Sequence, residues 1–374
     1  MRPQPLKVLH FRQSRNNWGP EKGILGLCRA LAKHGFDAEI AILYRRAPGG
    51  PAEHPMVSAA RMQNTPITQV DGSLGAMPDT IRWLRDKLER EQFSILHCHE
   101  YKTDLIGALA SWSRPAHSPA LVATVRHTEP GIQMALFQAL DSLVLHRFDR
   151  LTVPSEGAFG ELKRWPALRR RSRVIHHSIE PFPMVSKTPA GLPAITGPVI
   201  SIVGRLQEVK GHRIFLEAAR RILATRPEAQ FWIIGDGELQ EELTAIASRS
   251  GVKHAVSFLG YRKDAWQLMA LSDVVVCASQ YEAFPRVALE ALMLERPVAA
   301  TAVGGIPEIV IDGETGLLVR SGDPEDLAQA VLRLLDDGEL ARRLASAGRR
   351  LVMERYSLEG HAVALATFYR EALA

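Results

Sequence analysis

The chain has 374 residues, 46% hydrophobic and 23% charged, with 46 Lys+Arg against 41 Asp+Glu and a formal net charge of +5. That length favours two domains of ordinary size, each able to bury its own core. Three scattered cysteines (Cys28, Cys98, Cys277) exclude a disulfide framework and a cysteine metal site, which points to a reducing cytosol.

The first half alternates short apolar runs with amphipathic stretches. LKVLHF (6–11), DAEIAIL (37–43), FSILHCH (93–99), ALVATV (120–125), RLTVPS (150–155) and RVIHH (173–177) read as buried strands. Helical patterns fill the gaps at 20–34, 79–92, 104–112 and 131–146. Residues 181–198 hold five prolines and no strong periodicity, and 181–197 is the expected linker. The alternation then resumes with PVISIVG (198–204), AQFWIIG (229–235), AVSFLG (255–260), DVVVCAS (273–279), PVAAT (297–301) and GLLV (316–319). Strands alternating with helices imply right-handed crossovers and a mainly parallel sheet in each half. The expected plan is a first domain over 1–180 and a second over 198–356. A final amphipathic helix over 357–374 is expected to cross back onto the first domain. Two doubly wound domains place a ligand in the cleft between them, at the carboxyl ends of the strands.

No segment predicts a membrane span: the longest uncharged run, 188–204, contains three prolines and three glycines, and the start of the chain lacks an apolar signal core. Charge is unevenly spread. Residues 1–180 carry 25 Lys+Arg and 17 Asp+Glu, whereas the remainder is net acidic. A basic first half points to an anionic partner such as a lipid phosphate or membrane surface, or else reflects a basic proteome. The run KRWPALRRRSR (163–173) has six cations, compatible with an anionic membrane surface or with a solvated linker helix. Its single aromatic offers no stacking platform, so nucleic acid is not an expected partner.

Two stretches carry the chemistry: VGRLQEVKG (203–211) and SQYEAFPRVALEAL (279–292). In the first, Gly204, Arg205 and Lys210 follow an apolar strand and bring two full positive charges to one sheet edge. In the second, seven residues separate Glu282 from Glu290, and Phe284-Pro285 lies between them. Proline suits the first helical turn, which predicts Glu282 on the preceding loop and Glu290 about two turns inside the helix. Free amides and a partial positive charge at a helix N-terminus suit a diphosphate. Two cations, a helix N-terminus and two carboxylates are what a bound nucleotide-sugar needs.

The whole chain resembles the retaining, nucleotide-sugar-dependent glycosyltransferases of family 4, which have the GT-B fold of two Rossmann-like parallel-sheet domains. The resemblance lies in those two stretches with IIGDGELQEEL (233–243), FLGYRKD (258–264) and AVGGIPEIVIDGETGLLV (302–319). A weaker set supports it in the first half: VLHFRQSRNNWGPEK (8–22), ILHCHEYKTDLIGALA (95–110) and FDRLTVPSE (148–156).

The resemblance implies that Arg205 and Lys210 neutralise the donor diphosphate as the glycosidic bond breaks, which agrees with cations aimed at a growing charge. The chain has no Asp-x-Asp pair for a bridging divalent ion, so no metal and no cofactor beyond the co-substrate is expected. It implies further that Glu290 accepts hydrogen bonds from the ribose and that Glu282 sits beside the donor sugar; the competing reading pairs Glu290 with Arg286 at i,i+4 on a solvated face. Arg286 is also a candidate cation near the phosphates, and Ala283 implies no need for φ > 0 there. His99 is expected near the donor sugar and the acceptor. His97 is expected in the core and on the opposite face of the strand; a zinc site on the pair lacks further ligands. Arg126 and His127 are additional candidates. Gly204 and Gly235 admit close backbone approach to the nucleotide, Asp236 is the expected helix cap, and Arg262 lies near the base. Where the family has a Gly-Gly pair, this chain has Trp18-Gly19-Pro20, and Gly19 still offers its N–H. Gly304-Gly305 reads equally as structural or ligand-contacting, and His177-Ser178 has no assigned role.

The expectation is thus a cytoplasmic retaining glycosyltransferase, with peripheral contact at the inner membrane face left open. Its partners are a nucleoside diphosphate-sugar donor and a carbohydrate or lipid-linked acceptor, and cell-envelope, exopolysaccharide or glycolipid synthesis is the expected setting. The alternatives are a sugar-nucleotide epimerase of the same fold and a non-catalytic sugar-nucleotide or carbohydrate-binding subunit.

Overall fold

The computed structural model describes residues 4–14, 19–46, 50–113, 118–125, 141–183 and 189–374. They form two compact units: Met1–Ser178 with Ser357–Ala374, and Ile179–Tyr356. The first is built on a sheet of β1 (Leu6–Gln13), β2 (Phe36–Tyr44), β3 (Ile67–Asp71), β4 (Ile95–Cys98), β5 (Ala120–Thr124), β6 (Arg150–Val153) and β7 (Ser172–Val174). Its order is β3-β2-β1-β4-β5-β6-β7, with every pairing parallel. The second has β8 (Val199–Val203), β9 (Gln230–Ile234), β10 (Val256–Gly260), β11 (Val274–Cys277), β12 (Val298–Thr301) and β13 (Leu317–Val319). Its order is β10-β9-β8-β11-β12-β13, again all parallel.

Helices cover both faces of each sheet, which is why the central strands are continuous apolar runs rather than alternating ones. Leu9, Phe11, Leu96 and Leu121 enter one cluster in the first unit, while Val8, Ile40, Ile95 and Val122 enter the other. The edge strand β3 escapes the apolar-run reading because its sequence, ITQVD, is half exposed and half polar. In each sheet the chain winds one way from its first strand and then the other, so the order reverses between β1 and β4 and between β8 and β11. Loops at the carboxyl ends of such strand pairs are where open α/β sheets bind ligands.

The last helix, Leu358–Leu373, belongs to the first unit. Ser357 caps it by accepting from the Gly360 N–H. Leu365, Phe368 and Tyr369 enter the same cluster as Val8, Leu31 and Ile40. Arg173 lies over the Phe368 ring and pairs with Glu371 at 2.8 Å. Other cations of the basic run are also engaged locally: Arg171 donates to the His146 and Phe148 carbonyls, and Arg169 covers Phe159. Among the described residues no helix is long and apolar enough to cross a membrane. Of the helical stretch expected over 131–146, residues 131–140 lie outside the described residues. Phe368→Ala is expected to destabilise the first unit by about 3–5 kcal/mol. Urea unfolding followed by circular dichroism checks this, and a loss below about 1 kcal/mol would show that the helix adds little to the core.

Candidate active site

In the second unit, β8 ends at Gly204-Arg205 and the chain turns through a 3-10 segment, Glu208–Lys210, into the helix His212–Leu223. Gly211 makes that turn with φ +70°, and a Cβ there would lie 1.9 Å from the Ala278 carbonyl oxygen. Only glycine lets the turn lie directly on the backbone that follows β11. The Gln280 N–H then donates to the Val209 carbonyl at 2.8 Å, joining the two loops. Lys210 is thereby delivered to Glu282, and its ammonium donates to Oε1.

Glu282 is held from three further directions. Ser279 Oγ donates to the same Oε1 at 3.0 Å, and the Ser279 carbonyl accepts the Thr301 hydroxyl at 2.5 Å. Both residues are buried. The Glu282 carbonyl accepts the Gly305 N–H at 2.9 Å. Gly304, at φ +52°, comes so near that a Cβ would sit 1.8 Å from that carbonyl. The Gly304-Gly305 pair therefore seats Glu282. Of the two readings open for that pair, this is the structural one; Ser279 was not singled out in the sequence, and its position before the glutamate loop was its only signal.

Gly204 and Gly235 end neighbouring strands. The Gly204 N–H donates to the Ile234 carbonyl, and a Cβ on Gly235 would lie 1.8 Å from the Gly204 carbonyl oxygen. Arg205 is exposed beside them. Asp236 is not a helix cap: its carbonyl accepts the Leu206 N–H, and the helix Gln240–Arg249 follows Leu239 with no side-chain cap. Extra residues between Gly235 and that helix carry Asp236 away from the helix start. Arg262 forms a two-pronged contact with Asp264, at 2.8 Å on each prong, and donates to the Ala190 carbonyl. The Arg262 hydrogen bond holds the Asp264 carboxyl below its usual range.

The helix after Glu282 spans Arg286–Met293, and Pro285 is its N-cap, with extended backbone, rather than part of its first turn. Glu290 is therefore about one turn inside the helix, not two. Its carboxylate lies 3.6 Å from Arg286, and both side chains are mostly buried, so the i,i+4 pair does not lie on a solvated face. Phe284 is buried against the Tyr356 ring, 5.6 Å between centroids, and anchors the loop. Ala283 is absent from the residues with positive φ. His212, buried beside Lys210, is pushed down to about 4, chiefly by burial and then by the lysine charge.

In the first unit, the register of β1 against β4 pairs His10 with His97. The His97 and His99 rings stack at 4.2 Å between centroids. This overturns the expectation of opposite faces, because residues two apart in an extended chain share a face. His97 Nδ1 lies 2.6 Å from the Tyr369 hydroxyl and Nε2 lies 2.8 Å from the Thr124 hydroxyl. His99 Nε2 lies 3.0 Å from His10 Nδ1. All three histidines are buried.

His10 is the third histidine that the sequence did not bring to the His97/His99 pair. Together the three offer ring nitrogens within 4.8 Å of one another. A metal held by all three would have to break the His10–His99 contact or strip His97 of a hydroxyl partner. These bonds favour a hydrogen-bonded cluster over a metal centre.

The loop after His99 is tied to the end of β1. Glu100 pairs with Arg12 at 3.1 Å, accepts the Gln13 N–H at 3.0 Å, and shares a capping box with Thr103. Ser178 Oγ lies 3.0 Å from His361 Nδ1, which joins the His177-Ser178 turn to the last helix. Gly19 opens the helix Gly19–Ala32. Trp18, Arg126 and His127 lie outside the described residues.

Residues 19–181 match the family model described as Glycosyltransferase Family 4, and residues 190–351 match that described as Glycosyl transferases group 1. Glycogen synthase of Mycobacterium tuberculosis is 30% identical over 291 residues, covering 74% of this chain and 68% of that protein. The alpha-D-kanosaminyltransferase of Streptomyces kanamyceticus is 34% identical over 176 residues, 46% of each chain. The lipopolysaccharide core biosynthesis glycosyltransferase LpsE of Rhizobium meliloti is 35% identical over 162 residues, 43% of this chain and 46% of its own. The chain thus spans about half the length of these last two relatives. The structure of Anabaena HepE with UDP and glucose superposes with a TM-score of 0.82 at 20% identity, covering 98% of this chain and all of that one. Sucrose-phosphate synthase of Thermosynechococcus elongatus gives 0.79 at 22% identity, covering 98% of each. Two parallel-sheet units, both family models and the mycobacterial relative together make this chain a member of the family 4 glycosyltransferases, with the GT-B fold.

Proposed function

We propose that this protein transfers a sugar from a nucleoside diphosphate-sugar to an acceptor hydroxyl with retention of anomeric configuration. The observation that carries the proposal is the Lys210–Glu282 pair, built at the carboxyl ends of β8 and β11 where the strand order reverses. A lysine held there by a carboxylate is already ordered before a diphosphate arrives, so little reorganisation accompanies charge development. Lys210 and Arg205 take the charge that grows on the leaving diphosphate, in place of a bridging divalent ion.

Glu282 contacts a hydroxyl of the donor sugar and supports positive charge at the anomeric carbon, and Glu290 accepts from the ribose. Charge-assisted bonds of this kind are roughly twice as strong as neutral ones. His99 serves the transferred sugar and the acceptor. The acceptor attacks from the face that the diphosphate leaves, and a phosphate oxygen takes its proton. HepE has been crystallised with UDP and with UDP-glucose, which supports a nucleotide-sugar as donor here. LpsE acts in lipopolysaccharide core biosynthesis, which supports a cell-envelope glycan or glycolipid as acceptor, with the chain working in the cytoplasm, at the membrane face when the acceptor is lipid-linked.

Lys210→Ala and Glu282→Gln are each expected to lower turnover by about 100-fold or more while circular dichroism stays native. Near-normal product formation in both would remove the pair from the chemistry. Ser279→Ala is expected to cost about tenfold, since it removes one hydrogen bond to a charged group; an unchanged rate would show that the Glu282 carboxylate does not need the Ser279 hydroxyl to be positioned.

A nucleoside diphosphate at 100 times its Kd, with EDTA present, should stabilise the protein by about 2.7 kcal/mol, read as an upward thermal shift. A shift that EDTA abolishes would put a metal in the donor site. Product that forms without any acceptor would instead indicate an epimerase.

A further inference from the structure

We infer that His10 is a positioning residue that holds His99 in the tautomer protonated at Nδ1, so that His99 meets a hydroxyl as a hydrogen-bond donor. This rests on the proposed role of His99 and assigns the sense in which that residue works.

His10 is fully buried in the central strand β1. Its Nδ1 faces His99 Nε2 at 3.0 Å, and its Nε2 has no hydrogen-bond partner among the described residues. Burial drives the ring down to about 3, so it is neutral at any working pH and carries a single proton. That proton has two possible seats. On Nε2 it would be a buried donor with nothing to receive it, at a cost of about 1–3 kcal/mol. On Nδ1 it donates to His99, and only a lone pair is left unmatched, the lesser of the two defects. His10 therefore donates through Nδ1.

His99 Nε2 must then accept. In the neutral ring the remaining proton lies on Nδ1. A His99 arranged in this way donates to an oxygen and cannot take a proton through either nitrogen. It is a binding group for a hydroxyl and not a general base, which leaves the acceptor proton to the phosphate oxygen. The surroundings fix the ring as well as the proton: His97 stacks on His99 and is itself held at both nitrogens by the Tyr369 and Thr124 hydroxyls. Thr124 continues to Thr152 at 3.0 Å.

The test is a long-range proton–nitrogen correlation spectrum of the full chain labelled with 15N-histidine. The His99 signals are those lost in His99→Ala. The expected spectrum has a protonated Nδ1 and a bare Nε2 on His99; the reverse pattern overturns the inference. His10→Asn keeps a donor near the Nδ1 position, so it should keep both the tautomer and a kcat within about threefold, less than one net hydrogen bond is worth. His10→Leu removes the donor. It should release His99 to the other tautomer and lower kcat by about tenfold, the loss of roughly 1.4 kcal/mol that one such bond supplies. A His10→Leu protein with an unchanged His99 spectrum and unchanged kcat overturns the inference. If that variant does not fold, the wild-type and His10→Asn spectra still decide. Should His99→Ala transfer sugar at the wild-type rate, the role of His99 fails by itself, and the tautomer spectrum judges the His10 contact separately.

Discussion

Close backbone-to-backbone approach between loops that leave neighbouring strands is the constraint on which the second unit depends. Gly211 lies on the Ala278 carbonyl, Gly235 on that of Gly204, and Gly304 on that of Glu282. At each contact a Cβ would come within 1.9 Å of a carbonyl oxygen, so three glycines set how near the loops after β8, β9, β11 and β12 can come. The meeting of Lys210 and Glu282 follows from that spacing. A side chain as long as lysine reaches many places; here the turn before it and the loop facing it are both locked. The ion pair adds little net stability, because a half-buried pair loses solvation about as fast as it gains attraction. Its effect is on position: the Lys210 ammonium and the Ser279 hydroxyl both donate to Glu282 Oε1, and each restricts the others.

The first unit reaches order at its sheet edge by different means. Its rings are brought together by strand pairing, with His10 beside His97 in the β1/β4 register. Hydroxyls then complete the hydrogen bonds of His97, one from Thr124 and one from Tyr369 on the last helix. The same helix that fills the core with Leu365 and Phe368 thus reaches the histidine cluster. A buried polar network of this kind specifies a single arrangement when its members are satisfied, since an unmatched group in a low-dielectric interior is costly. Within this cluster His10 Nε2 has no hydrogen-bond partner among the described residues, and that makes the proton positions readable.

Both sites sit where their sheets reverse direction. At that point the loops of two adjacent strands diverge to opposite faces and leave room at the carboxyl edge. In the second unit that edge carries glycine backbone and the Lys210–Glu282 pair, in the first the buried imidazoles and the Arg12–Glu100 pair. The chemistry proposed for each follows from this lining: charge neutralisation in one, oriented hydrogen bonding in the other.

Local pattern in the sequence determined the apolar runs, their parallel pairing in two sheets, and the two stretches that supply Arg205, Lys210, Glu282 and Glu290. Strand period, helix spacing and the family motifs are all properties of contiguous residues, so a linear reading reaches them. It misplaced Glu290 by a turn and Asp236 by a helix start, because boundaries depend on how the chain leaves a loop. Only the tertiary structure decided that Gly304-Gly305 seats Glu282, that Ser279 shares its oxygen, and that His10 and Tyr369 complete the histidine cluster. Those partners stand 89 residues apart in the His10–His99 pair and 272 in the His97–Tyr369 pair. Strand register and backbone approach create such contacts, and neither leaves a mark on the local pattern of either partner.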